Sequence, residues 1–188
     1  MAKVWTINVQ VNTLFLNSIS GSGSWNSPVG SGTYWRNNVR MTAVSDNPDD
    51  AITVGDGDSF QLTVGKDDKI RWVVSEVNPV YNNHRSVCMY GFSQGSNWDA
   101  NLTPPNTVIT EAAFSSILNG FNAPEQPGGN FLKASTSDIS IPETTVRASA
   151  ENSDISYYMR LLLLDISDIH SPKILKFLQV DPTIKIRL

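Results

Sequence analysis

Cysteine is nearly missing from this 188-residue chain: it has one, Cys88. A lone cysteine excludes an intrachain disulfide, and inside the apolar run Val87-Cys88-Met89 it reads as a small buried hydrophobe in a reducing compartment. Histidine is scarce too. His84 and His170 have no His or Cys at metal-ligand spacing, which argues against a zinc site. Charge is thin, with 17% Asp, Glu, Lys and Arg and a formal net charge of -4. Such a surface offers no basic field to nucleic acid or to an anionic membrane, so neither is expected as a partner. Low charge also leaves little repulsion between copies, which permits self-association and a homo-oligomer. The longest apolar run, Leu161 to Leu164, falls far short of the roughly 20 residues of a membrane span. The first residues enter a strand pattern at once, without the basic and apolar regions of a secretory signal, so a cytoplasmic location is expected. No G-x-S-x-G, phosphate loop or dinucleotide fingerprint occurs, and no nucleophile stands beside a base; the chain reads as a non-enzyme.

What the chain has in quantity is two-residue alternation. Trp5, Ile7, Val9 and Val11 alternate with Thr6, Asn8 and Gln10; Ile70, Trp72 and Val74 alternate with Lys69, Arg71, Val73 and Ser75. That is the period of a strand with one wet and one dry face, and Trp72 becomes a core anchor. Val87 to Phe92 is apolar enough to be buried on both sides and reads, with the Trp72 run, as a second central strand of one sheet. Further strand patterns cover Val39–Val44, Phe60–Val64, Thr144–Ala148, Ile155–Ile166, Ile174–Leu178 and Thr183–Leu188, where Ile184, Ile186 and Leu188 face in. Thr107 to Gly120 spaces its apolar residues at roughly helical intervals and predicts one short helix. With about eight or nine strands, long loops and no strand–helix alternation, the expected architecture is all-β, a single antiparallel β-sandwich domain over residues 1–188.

Two loops carry the residue types of a ligand site. Trp25, Tyr34 and Trp35 lie in the turn-rich segment from Ser20 to Arg36, and Trp98 lies beside Asn97, Asp99 and Asn101. Aromatic faces with Asn and Asp side chains are what the C–H face and hydroxyls of a sugar require, so a lectin-like module is the rival functional reading. The plain alternative is that these aromatics pin long loops to the core or sit in contacts between subunits. Asp46, Asp49, Asp50, Asp56 and Asp58 gather oxygen ligands in one acidic region, suiting calcium, although no EF-hand spacing is present and solvated turns explain the same residues. No other cofactor is expected.

Three segments resemble the bacterial inclusion-body protein family of the PixA/AidA type. They are Val64-Gly65-Lys66-Asp67-Asp68-Lys69-Ile70-Arg71-Trp72, Ser86-Val87-Cys88-Met89-Tyr90-Gly91-Phe92 and Phe177-Leu178-Gln179-Val180-Asp181-Pro182-Thr183-Ile184-Lys185-Ile186. They are similar to that family's V-G-D-x-I-R-W strand, V-x-L-Y strand and terminal W-D-P-x-I signature, in the same order. Val180 stands in place of the signature tryptophan, and Val11-Asn12-Thr13 where many members carry an acidic residue. The resemblance implies a cytoplasmic protein made in quantity, accumulating as inclusions in some members, with no established enzymatic activity. The signature residues have structural readings as well. Asp181-Pro182 makes a turn into the last strand, and Arg71 pairs with a carboxylate on a neighbouring strand.

Overall fold

The computed structural model describes residues 2–30, 35, 37–77, 84–117 and 132–188. The described residues form three sheets. The largest runs in the order β3 (Thr53–Asp56), β2 (Val39–Ser45), β1 (Val4–Val11), β5 (Lys69–Glu76), β8 (Leu132–Thr145) and β7 (Asn106–Ile117). A second has β10 (Tyr158–Asp165) between β11 (Lys173–Val180) and β6 (Arg85–Ser93), and a third has β12 (Thr183–Ile186) between β4 (Gln61–Val64) and β9 (Ser153–Ser156). Among the described residues two short α-helices accompany the sheets, α1 (Thr13–Ser18), capped by the Asn12 side chain, and α2 (Trp98–Asn101).

Alternation decides which way each strand faces. Trp5, Ile7, Val9 and Val11 are buried on β1, Val39, Met41 and Ala43 on β2, and Ile70 and Trp72 on β5. Met159, Leu161 and Leu163 on β10, Leu62 and Val64 on β4, and Ile184 and Ile186 on β12 join them in one hydrophobic cluster. Burying such a side chain is worth about 2 kcal/mol, whereas an exposed ion pair is worth under ~1 kcal/mol. Hydrophobic burial therefore outweighs surface charge in setting strand orientation.

The all-β architecture read from the sequence is the one observed, with more strands and mixed direction. Twelve strands lie among the described residues. β1 pairs antiparallel with β2 but parallel with β5, Ile7 opposite Trp72, and β12 runs parallel to β4. Alternation fixes a strand's faces and says nothing of its direction.

The expected helix from Thr107 is instead β7, paired residue by residue with β8 from Asn106 opposite Glu143 to Ile117 opposite Leu132; residues 118–120 lie outside the described residues. Ile155–Ile166 is two strands in different sheets, broken at the buried Tyr157, whose N–H donates to the Pro182 carbonyl at 3.2 Å. β5 and β6, expected as two central strands of one sheet, belong to different sheets. Leu188 lies beyond β12 and is exposed. Thr144 and Thr145 end β8, and Val146 follows with an isolated bridge to Leu102.

Cys88 is exposed rather than buried. Along β10, Arg160 pairs with Gly91 and Leu161 with Met89, so Tyr90 is an extra residue in β6. Such a bulge reverses the alternation. Val87 and Met89 pack on the core, ordinary alternation between them turns Cys88 outward, and the bulge brings Phe92 back to the core face.

Arg71 pairs across strands as expected. Its Nε lies 2.6 Å from Glu143 of β8, directly opposite, and Lys69 Nζ lies 3.1 Å from the same carboxylate. Partial burial raises the Glu143 carboxyl, but the hydrogen bonds and charges of Arg71 and Lys69 outweigh it, and the net displacement is downward. A carboxyl lowered in the folded state contributes stability above its unfolded value of about 4.3 and loses it as pH falls through the folded value. The denaturant midpoint of the native chain should therefore fall more steeply below about pH 4.3 than that of Glu143→Gln. Equal slopes would remove this pair from the acid response.

Candidate functional site

Among the described residues, the aromatic residues singled out in the loops do not converge. Trp98 is buried at the start of α2, donates from Nε1 to the Thr103 carbonyl at 3.3 Å, and sets its ring 5.9 Å from Phe92 and 5.6 Å from Tyr157. Trp72 joins the same group, 4.8 Å from Phe92, and donates to the Tyr157 hydroxyl at 2.9 Å. Burial pushes the Tyr157 phenol far above its ordinary range. This is a dry aromatic core. Trp35 is also fully buried, with Gly57 against it: a Cβ on Gly57 would stand 2.5 Å from the Trp35 Cβ, and φ there is +45°. Tyr34 lies outside the described residues.

Trp25 remains at the surface, 54% exposed, tilted over Tyr90 at 4.5 Å with Phe177 at 6.3 Å. The Tyr90 hydroxyl donates to the Trp25 carbonyl at 3.2 Å, and the loop behind it is tied to β11 by Val29 and Ser22. Neither Trp35 nor Trp98 offers a ring face to a sugar. The polar neighbours of Trp98 tie the loop to itself and to the segment after β8: the Asn97 backbone carbonyl accepts from Asn101 Nδ2 at 2.9 Å, the Asp99 backbone carbonyl accepts from Arg147 Nε at 3.0 Å, and Asn101 Oδ1 accepts the Glu151 N–H at 2.9 Å.

The acidic residues are also dispersed. Asp46 accepts the Val4 N–H at 2.9 Å, Asp50 holds Lys3 Nζ at 2.7 Å, and the Asp49 N–H donates to Asn47. Asp56 and Asp58 lie on the far side of the β3 segment, in a turn closed by Ser59. Among the described residues no three His, Cys, Asp or Glu side chains are grouped to hold a metal ion. His84 and His170 are exposed; the His84 carbonyl accepts the Ile166 N–H, and the His170 N–H donates to Asp168. The Asp181-Pro182 turn joins β11 to β12 as expected, and Thr183 donates to the Phe60 carbonyl at 3.0 Å.

Sequence reasoning did not single out Asp68. Its carboxylate is 5% exposed and accepts the N–H groups of Lys3 and Gly65, each at 2.8 Å, and the indole N–H of Trp5 at 3.2 Å. Its sequence signal is the aspartate position of the D-x-I-R-W segment, in the turn before the Trp72 strand.

An open groove of about 420 Å³ separates β6 from β8, with Val74, Val87, Ile139 and Ile141 on its walls and Cys88 at its rim. Partial burial there pushes the Cys88 thiol up, away from the reactive thiolate. A neighbouring hollow of about 290 Å³ continues it past Met89 and Pro142.

No family model matches the sequence, and no curated protein matches it. Similarity emerges in three dimensions, to the crystal structure of a PixA inclusion body protein from Burkholderia cenocepacia J2315, over 99% of this chain and 97% of that one with a TM-score of 0.66. This chain has the PixA-type fold. The two sequences are 12% identical. A fold survives such divergence because cores tolerate extensive hydrophobic exchange when volume and patterning are kept. In this PixA-type fold the Trp72 and Asp181-Pro182 signatures occupy structural positions. Among the described residues no helix is long and apolar enough to cross a membrane.

Proposed function

We propose that the chain is a non-enzymatic inclusion-body protein of the PixA/AidA type, which accumulates in the cytoplasm and associates with copies of itself. The observation that carries this reading is the end-to-end structural likeness to an inclusion body protein, with 99% and 97% of the two chains covered. The low density of charge supports it, since copies repel one another weakly at high concentration.

The test is overproduction in bacterial cells followed by thin-section electron microscopy. The expected result is dense cytoplasmic inclusions that release folded, sheet-rich protein without denaturant. Uniformly dispersed protein at every expression level, or deposits that yield only unfolded chain, would overturn the proposal.

A further inference from the structure

The sheet edges are managed unequally. β3, β4 and β9 have four residues each, short enough to offer little to pair with, and the loop ending at Val29 lies along β11 through hydrogen bonds to Phe177 and Gln179. β6 faces β8 across the groove. β7 differs. It has twelve residues, forms the outer edge of the six-stranded sheet, and contains one charged residue, Glu111, and no proline. It is carried by β8, which reaches β5 only through Glu143, Thr144 and Thr145. Beyond that attachment Ile139 and Ile141 are half-buried at the groove, and the rest of the two strands forms an exposed arm, with Ile109 72%, Phe114 53% and Leu132 62% accessible. An isolated two-stranded ribbon is marginal in water, and a long apolar edge without lysine or proline is a template for another strand.

We propose that the occupant of this edge is a second copy of the same chain, whose β7 pairs antiparallel with the first about a two-fold axis perpendicular to the sheet. The inference rests on the self-associating reading above and assigns it a surface. Under such an axis each side chain stays on its own face, so the symmetric registers are centred on a residue facing its own copy. Centring on Glu111 sets two carboxylates directly opposite, which is unfavourable. Centring on Ala112 sets Glu111 opposite Ala113 and Phe114 opposite Thr110, an aromatic and β-branched pair of the favourable kind. It also pairs the strand from Thr107 to Ile117. A joint of this length, roughly 40 Å along the strand at ~3.4 Å per residue, supplies about ten backbone hydrogen bonds, as many as a typical protein interface. Charge and edge length thus both select Ala112 as the centre.

The experiment is disulfide trapping of the full chain. In a Cys88→Ser background, Ala112→Cys should give a cross-linked species of twice the 20.6 kDa chain mass under mild oxidation, while Ile109→Cys, which faces Ser115 in this register, should not. Ile109→Lys with Phe114→Lys, both at exposed positions and therefore compatible with folding, should weaken association of the otherwise native chain at least about tenfold, equivalent to 1.4 kcal/mol. Native chain that associates while neither Ala112→Cys cross-links nor the lysine pair weakens it would overturn the β7 edge and leave the self-association reading standing. Native chain that sediments as a monomer at every concentration would overturn both.

Discussion

Replacing Trp72 by alanine is expected to cost about 3–5 kcal/mol of folding free energy, the range for deleting a large aromatic from a packed interior. Trp72 is fully buried on β5, opposite Ile7 of β1, in ring contact with Phe92 and with Tyr157 at 5.9 Å. Its removal opens a cavity bordered by residues of β6 and of the β9–β10 break, so the loss falls where the sheets meet. A loss of that size is a large fraction of the 5–15 kcal/mol by which folded proteins typically exceed their unfolded states. Tyr157→Phe isolates one part of the effect. It leaves the volume and strips the indole N–H of its acceptor at 2.9 Å, which should cost about 1–3 kcal/mol. Urea unfolding of the two variants checks both values. A Trp72→Ala loss below that of Tyr157→Phe would contradict the packing described.

Asp68→Ala should come next, at about 3 kcal/mol, since hydrogen bonds to a charged group contribute about 1.5–3 kcal/mol and buried donors left without an acceptor carry a desolvation penalty. The carboxylate gathers the Lys3 backbone at the start of β1, the Gly65 turn after β4 and the Trp5 indole. One side chain thus ties the start of β1 to the turn between β4 and β5, two segments distant in sequence. Asp68→Asn retains one carbonyl oxygen and turns an amide toward donors, so an intermediate loss is expected in the same urea series. A variant with alanine as stable as the native chain would show that water replaces the carboxylate without cost.

The strands facing the core were legible because burial imposes a two-residue period on them: β1, β2, β5 and β12 are examples. The arm was not, because β7 is wet on both faces and nothing constrains the spacing of Val108, Ile109, Ala112 and Ala113. Cys88 was misplaced because an apolar run reads as buried on both faces, whereas only the Val87 and Met89 face packs on the core; the bulge at Tyr90 that returns Phe92 to that face leaves no mark in the sequence. The loop tryptophans were ambiguous for another reason. An aromatic residue among Gly, Ser and Asn either pins a loop or receives a ligand, and only the burial of Trp35 and Trp98 against the exposure of Trp25 separates the two. The family-like segments pointed to the fold correctly, since Arg71, Trp72 and the Asp181-Pro182 turn hold positions where strands and sheets join.

Iodide quenching of tryptophan fluorescence, compared between the native chain and Trp25→Phe, tests most directly whether the aromatic residues are committed to a dry interior. Trp5, Trp35, Trp72 and Trp98 are all buried, at 7% exposure or less, and Trp25 is the accessible fifth. The native chain should show a minor quenchable fraction that vanishes in Trp25→Phe. A large fraction that persists in that variant would mean that Trp35 or Trp98 opens to solvent and that an aromatic cleft, not a shared core, occupies the centre of the molecule.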